Sequence, residues 1–235
     1  MTVALSLHGV RVVFDADPVL DIEHLSIDRG ERVALIGSSG AGKTTLLRLC
    51  NGTVVPTQGR VERSVIQTRI GTIYQQLDLV GPLRVVHNVN AGRLGDWSTW
   101  TALRSLVRPL GVDAARQALA LVGIADKIYM RTDQLSGGEQ QRVALARVLV
   151  QSPELVLADE PVSSLDPARS VEIMRLLNEV VAVERGRTLV VSLHDFNLAR
   201  EYCGCVIGLS HGRVVFDCPA AQVTDKMGQE LYELA

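Results

Sequence analysis

Aromatic residues are scarce in this sequence of 235 residues, since 3 Phe, 4 Tyr and 2 Trp make up only 4% of it. So few aromatic side chains disfavour a surface on which nucleic-acid bases stack. Charge of one sign is also lacking, because 24 basic residues face 26 acidic ones and leave a net charge of −2. This balance argues against a broad basic surface. We therefore expect no nucleic-acid partner.

Long apolar runs are absent as well, and none approaches the roughly 20 residues that a membrane-spanning helix needs. The opening stretch reads "MTVALSLHGVRVVF" and alternates like a strand, with no basic head and no small-residue cleavage site. We therefore expect no secretory signal.

Paired cysteine spacing is also missing. None of the four cysteines, Cys50, Cys203, Cys205 and Cys218, forms a C-x-x-C pair. Cys203 and Cys205 lie close in sequence, but two ligands one residue apart make a poor metal site. We expect buried or idle thiols in a reducing cytosol.

The composition that remains is that of an ordinary globular protein, with 47% hydrophobic and 21% charged residues. A chain of this length can bury a full core, either as one large domain or as one domain with a sizeable insertion. The sequence has no internal repeat and no low-complexity linker. We treat residues 1–235 as one domain.

The hydrophobic pattern predicts alternating strands and helices. Alternation in the first thirty residues predicts a small antiparallel sheet. Four short apolar runs predict buried strands: "RVALIG", "RIGTIYQQ", "LVLADEP" and "RTLVVSLHD". Helical spacing prevails from about 83 to 132, and the stretch "CVIGLSHGRVVFD" predicts a hairpin that turns at His211-Gly212. The sequence thus predicts an α/β fold, a nucleotide-binding core with a helical insertion.

The first glycine motif is a phosphate loop. The stretch "GSSGAGKT" matches G-x-x-x-x-G-K-[ST] at each fixed position and lies between a predicted strand and a predicted helix. Glycines let backbone N–H groups converge on phosphate oxygens. Lys43 adds a charge for the β- and γ-phosphates, and Thr44 offers a hydroxyl to Mg²⁺. The predicted nucleotide-binding residues are Gly37, Ser38, Ser39, Gly40, Ala41, Gly42, Lys43, Thr44 and Thr45; the alternative is a glycine turn without a ligand.

Polar residues follow the other buried strands. Asp159 comes after four apolar residues, which favours a role as the Mg²⁺ ligand, and Glu160 would orient or deprotonate the attacking water. The alternative for this pair is a solvated loop. His194 and Gln75 also end predicted strands, where His194 would approach the γ-phosphate and Gln75 would bind Mg²⁺ or water. For both, a structural hydrogen-bonding role is the alternative.

A second glycine motif, "LSGGEQ", opens the helix that follows the helical block. Glycine is a poor helix former, so the pair Gly137–Gly138 needs a reason. With the phosphate loop, "YQQ", "LVLADE", "SSLD" and His194, the motif resembles the ATP-binding cassette (ABC) ATPases, in the order of that family and over essentially the whole chain. The resemblance implies a mixed sheet flanked by helices, an N-terminal antiparallel β-subdomain and an inserted helical subdomain over 76–132.

The resemblance also implies a composite site. In the family, two subunits pack head to tail, so that each phosphate loop faces the partner's signature motif. Here that motif would supply Ser136, Gly137, Gly138 and Glu139, and the "SSLD" loop (163–166) would supply Asp166. Ser136 and Glu139 fit an S-x-x-E capping box. The family usually has Gln at the position of Glu139, which puts a negative charge beside the triphosphate.

At the position of Phe14 the family has an aromatic ring that stacks on adenine; the alternative is a core residue. Trp97 and Trp100 would either anchor a permease or fill the core of the helical subdomain, and we favour the core.

Within the family, the sequence is most similar to the ATP-binding subunits of phosphonate importers. The shared strings are "LVGPLRVVHNVNAGRLG", "RTDQLSGGEQQRVALARVL", "VSLHDFNLAREYC" and "HGRVVFDCPAAQVTD". This similarity implies an ATP- and Mg²⁺-dependent motor for a phosphonate or a related oxyanion such as phosphate or phosphite. It would work as a homodimer on the cytoplasmic face of the membrane, with permease subunits and, indirectly, a substrate-binding protein. Sulfonate or amino-acid import and a soluble, non-transport ATPase are alternatives.

Overall fold

The computed structural model describes residues 2–107, 109–163, 165–180 and 186–233. Two compact units make up the chain. The first combines Met1–Thr72 with Glu154–Ala235, and the second is Ile73–Pro153.

The first unit opens with an antiparallel sheet, as the alternating pattern predicts. Strand β1 (Val3–Phe14) lies between β2 (Asp17–Asp28) and β4 (Gln58–Arg63) and is antiparallel to both. The turn from β1 to β2 uses left-handed backbone at Asp15 and Ala16. Apolar residues on one face of β1 and β2 join helix α1 (Lys43–Cys50) in the main hydrophobic core.

A six-stranded sheet forms the rest of the first unit's core. Its strands are β3 (Arg32–Ile36), β5 (Ile70–Ile73), β6 (Leu155–Ala158), β7 (Thr188–Leu193), β8 (Cys205–Ser210) and β9 (Arg213–Pro219). Their order in the sheet is β5-β6-β7-β3-β8-β9.

Strand β3 pairs parallel with β7 and β8, and β6 pairs parallel with β7. The carboxyl ends of β3, β6 and β7 therefore meet at one edge of the sheet, where α/β proteins bind ligands.

Helices α6 (Pro167–Val180), α7 (Phe196–Tyr202) and α8 (Asp225–Glu233) complete the described part of this unit. Strand β9 pairs antiparallel with β8, and both His211 and Gly212 adopt positive φ in the turn between them. The predicted hairpin and the predicted α/β fold with an antiparallel N-terminal sheet are confirmed.

The second unit is helical. It contains α2 (Val85–Asn90), α3 (Thr99–Val107), α4 (Val112–Leu121) and α5 (Gly137–Val150). Helix α5 packs against both α2 and α4, and this compact unit therefore extends beyond the predicted block 76–132. Gly92 lies so close to α5 that a Cβ there would be 2.1 Å from the carbonyl oxygen of Arg147.

The two tryptophans of this unit differ in exposure. Trp97 is partly buried, with the Arg93 guanidinium 5.7 Å from its ring centroid, whereas Trp100 is 82% exposed. The expectation that both fill the core is wrong for Trp100, because α3 turns that ring away from the rest of the unit. Among the described residues, no helix is both long and apolar enough to cross a membrane.

Candidate functional site

The phosphate loop connects the buried strand β3 to helix α1. Gly40 and Gly42 both have left-handed backbone, with φ of 83° and 100°, which glycine adopts at low cost. At Gly37 a Cβ would lie 2.2 Å from the carbonyl oxygen of Leu209. Among the described residues, no side chain caps the start of α1, and no acidic residue lies in its first turn. Its first N–H groups and the positive end of the helix dipole are therefore available to an anion.

The buried side chain of Lys43 hydrogen-bonds the backbone of this loop. Its Nζ donates to the carbonyl oxygens of Gly37 at 2.8 Å and Ser38 at 3.0 Å, and the residue is only 4% exposed. Burial lowers the pKa of Lys43, while the charges of Glu160 and Asp159 oppose that shift. An ammonium group that has lost most of its water has a strong need for anionic partners.

Asp159 directly follows β6 and turns its side chain toward the loop. Its Oδ1 accepts from Thr44 Oγ1 at 3.2 Å and from Ser192 Oγ at 2.8 Å, and the carboxylate is buried. A hydroxyl and a carboxylate in contact are the hard oxygen ligands that Mg²⁺ prefers. Thr44 and Asp159 thus have the ligand types that would hold a Mg²⁺ ion.

Glu160 turns the other way, toward the end of β7. It has left-handed backbone, with φ of 45°, and its N–H donates to Ser192 Oγ at 2.8 Å. Its Oε1 is 2.5 Å from Nε2 of His194 and 3.9 Å from Nζ of Lys43. A strained backbone of this kind is common where a side chain must be held in one orientation for function.

The structure thus brings five predicted residues together at the strand ends: Lys43, Thr44, Asp159, Glu160 and His194. Ser192 joins them, although its role was missed in the sequence because it lies in a fully buried strand and resembles a packing residue. The one available signal was a hydroxyl at a buried position two residues before His194.

Other predicted residues lie elsewhere. Phe14, at the end of β1, is 47% exposed, which is inconsistent with the alternative that it is a core residue. Gln75 lies in the second unit, two residues beyond β5.

The "SSLD" loop precedes α6. Asp166 Oδ1 accepts from the N–H of Arg169 at 3.1 Å, and Ser163 donates to the carbonyl oxygen of Glu160 at 3.2 Å. Ser164 of this loop lies outside the described residues.

The cysteines take no part in this site. Burial raises the pKa of both Cys50 and Cys203 to about 12, which keeps these two groups as thiols. Within the described ranges, no three metal-ligating side chains of the His, Cys, Asp and Glu types form a cluster.

The second glycine motif begins α5, and the predicted capping box is present there. The N–H of Glu139 donates to Ser136 Oγ at 3.3 Å, and the N–H of Ser136 donates to Glu139 Oε2 at 2.9 Å. The bonds from the Ser136 N–H and hydroxyl, together with the charges of Lys127 and Arg142, lower the pKa of Glu139. Lys127 Nζ lies 3.9 Å from Glu139 Oε1 and offsets part of the charge of that carboxylate.

Gly137 and Gly138 have no structural requirement within the described chain. Both have ordinary helical backbone, and a Cβ at either would meet no atom within 4 Å. Alanine would therefore fit at both places and would favour the helix by up to about 1 kcal/mol. The described residues therefore give no packing or backbone reason for glycine at either position.

Comparison with known proteins places both glycine motifs within one family match. The ABC transporter family profile matches residues 20–163, more than half of the chain. This chain belongs to the ABC transporter family.

One relative in this family is the phosphonates import ATP-binding protein PhnC 2 of Pseudomonas aeruginosa. It is 46% identical, over 97% of this chain and 91% of that protein.

Two solved structures of the ABC family share the fold. The cbiO1 protein of Clostridium perfringens, part of the ABC transporter complex cbiONQ, has a TM-score of 0.80 at 26% identity and covers 98% of this chain and 92% of its own. The cassette MJ0796, solved as a dimer with ADP and Pi, has a TM-score of 0.75 at 29% identity. The match covers 92% of this chain and 98% of that cassette.

Replacing Ser192 by Ala tests its place in this ABC site. The change removes the donor to Asp159 and leaves the Glu160 N–H without its acceptor, so the free energy of unfolding should fall by about 1–3 kcal/mol. The rate of ATP hydrolysis should fall about tenfold, because supporting residues of a metal ligand have effects of this size. Urea unfolding and phosphate release measure the two quantities.

The matched control is Ser6→Ala, which removes a hydroxyl from a buried residue of the antiparallel sheet. It should not change the hydrolysis rate. Wild-type turnover in Ser192→Ala would contradict the role given to this serine.

Proposed function

We propose that this chain is the ATP-hydrolysing subunit of an importer and works as a head-to-tail homodimer. The observation that most supports ATP hydrolysis is the arrangement at the strand ends, where Glu160 contacts His194 beside a buried Lys43 and a hydrogen-bonded Asp159. These groups match the needs of phosphate binding, metal binding and water activation in one place.

The nucleotide would bind by its phosphates and its base. Backbone N–H groups of the loop and the N-terminus of α1 would hold the phosphates, with Lys43 as the cation for the β- and γ-phosphates. The exposed ring of Phe14 would stack on adenine. Thr44 and Asp159 would hold Mg²⁺, which would neutralise charge on the phosphates when bound.

Glu160 would act on the attacking water. Its carboxylate is oriented by His194 and Lys43 and by the backbone bond to Ser192, so little reorganisation is needed during the reaction. Glu160 would accept or orient the proton of that water, and His194 would hold Glu160 and approach the γ-phosphate.

The signature motif would complete the site of a second copy. Gly137 and Gly138 expose the N–H groups at the start of α5, which have a partial positive charge and are open to phosphate oxygens. Ser136 and Asp166 would also face the partner. The pairing of Glu139 with Lys127 and with the cap at Ser136 limits its repulsion of the nucleotide. The cassette MJ0796 was solved as a dimer, which supports assembly from two copies.

The transported substrate would be a phosphonate or a related oxyanion such as phosphate or phosphite. The name of the Pseudomonas aeruginosa relative supports this assignment. The alternatives are import of a sulfonate or an amino acid and a soluble, non-transport ATPase. No residue of this chain would contact the substrate.

The partners would be permease subunits and, through them, a substrate-binding protein. The second compact unit would dock on the permease, with Gln75 passing on the nucleotide state and the exposed Trp100 as a candidate contact. The subunit would lie at the cytoplasmic face of the membrane.

Replacing Glu160 by Gln tests the proposed chemistry. The amide keeps the shape of the side chain but cannot accept a proton as a carboxylate does, so turnover should fall by about 100-fold or more. ATP binding should persist, and the ATP-bound dimer should accumulate. Phosphate release and size-exclusion chromatography with ATP measure both effects. A monomer with unchanged hydrolysis would falsify the role of Glu160.

Replacing Gly138 by Ala tests the composite site. The methyl group should leave the fold intact, or stabilise it by up to about 1 kcal/mol, because it meets nothing within this chain. It would obstruct the partner's nucleotide, so hydrolysis should fall about tenfold or more. The midpoint of thermal unfolding should thus stay the same or rise, while the rate of ATP hydrolysis falls.

Gly95→Ala is the matched control, since a Cβ at Gly95 also meets no atom within 4 Å. It should leave hydrolysis unchanged. If Gly138→Ala hydrolyses ATP like the wild type, no second copy contacts this surface during the reaction.

A further inference from the structure

Tyr232 on helix α8 contacts the backbone of the proposed switch histidine. Its hydroxyl donates to the carbonyl oxygen of His194 at 2.8 Å. Only one residue, Asp195, separates His194 from the first residue of α7. Asp195 caps that helix, because its Oδ1 accepts from the N–H groups of Asn197 at 2.7 Å and Leu198 at 3.2 Å. The backbone of His194 is thus held by β7 on one side and by a capped helix on the other.

Helix α8 contacts α7 through three pairs of residues. The ring of Tyr232 meets the ring of Phe196 edge-on, with centroids 5.9 Å apart and an interplanar angle of 71°. Gly228 of α8 faces the same Phe196 ring, and a Cβ there would lie 3.4 Å from it. Arg200 of α7 pairs with Asp225 of α8 at 2.9 Å. The position of the Tyr232 hydroxyl is therefore well defined relative to α7.

The hydroxyl remains a donor at neutral pH. Burial and the charge of Asp195 raise the pKa of Tyr232. The side chain of His194 is 44% exposed, so the imidazole has room to change its orientation.

We propose that Tyr232 is a positioning residue for His194, through which helix α8 fixes the contact between the His194 imidazole and Glu160. It rests on the proposed function, since it acts on the reaction assigned to Glu160. Tyr232 itself contacts neither Glu160 nor the phosphate loop in the described structure, and acts through the backbone of His194. Loss of the hydroxyl would free the carbonyl, and the imidazole would sample orientations away from Glu160.

Tyr232→Phe is the test, because it keeps the ring and its contact with Phe196 and removes only the donor. The kcat for ATP hydrolysis should fall about fivefold, as expected for one hydrogen bond that matters in the reacting state. KM and nucleotide affinity should be unchanged, and the midpoint of thermal unfolding should remain near that of the wild type. Tyr129→Phe, at an exposed tyrosine of the second unit, is the matched control and should have wild-type kinetics.

A spectroscopic readout separates positioning from general loss of structure. The chain has five histidines, so the imidazole signals of His8, His24, His87, His194 and His211 can be assigned by substitution. In Tyr232→Phe the His194 signal should shift or broaden, while the other four stay in place. An unmoved His194 signal, or an unchanged kcat, would overturn the proposal.

Failure of the proposed function would give a different set of results in these variants. In that case Glu160→Gln or His194→Ala would hydrolyse ATP like the wild type, whereas the His194 signal would still respond to Tyr232→Phe. Loss of hydrolysis in both of those variants, with no response to Tyr232→Phe, would leave the proposed function standing and reject the role of Tyr232.

Discussion

The parallel pairing of β7 with both β3 and β6 determines where the chemistry of this protein lies. Each strand continues into a different polar segment, and parallel neighbours place those segments side by side. Thr44 and Asp159 are 115 residues apart along the chain and Glu160 and His194 are 34 apart, yet the side chains of each pair are within hydrogen-bonding reach. An antiparallel β7 would carry His194 to the opposite edge of the sheet.

Ser192 orients the two carboxylates that balance the charge of Lys43 at this edge of the sheet. Lys43 is desolvated, and it is compensated by loop carbonyl oxygens and by nearby carboxylates. Those carboxylates must point in different directions, one toward Thr44 and one toward His194. Ser192 makes this possible, since its hydroxyl donates to Asp159 and accepts from the N–H of Glu160. A buried polar group with both partners satisfied adds rigidity where an unsatisfied one would destabilise.

Sequence reasoning succeeded where the backbone dictates the residue. At Gly40 and Gly42 the chain needs left-handed turns, and the capping box joins positions only three residues apart, so each could be recognised locally. Ser192 and Lys127 could not be found this way, because their roles depend on partners brought close by folding. Trp100 was misjudged for the same reason, since the spacing of a short helix does not tell which side has a neighbour. Tyr232 lies 38 residues from His194, and no local pattern links the two.

In the proposed dimer, a phosphate loop and a signature motif from different copies form one working site. Mixing two inactive variants, Lys43→Ala and Ser136→Arg, tests this most directly. A dimer of either variant alone has a damaged loop or a damaged motif in both of its sites. In a mixed dimer, the Ser136→Arg copy supplies an intact loop and the Lys43→Ala copy supplies an intact motif, so one of the two sites is complete. ATP hydrolysis should return on mixing, to about a quarter of the wild-type rate for random pairing. If the mixture stays as inactive as its components, the two motifs do not act across a dimer.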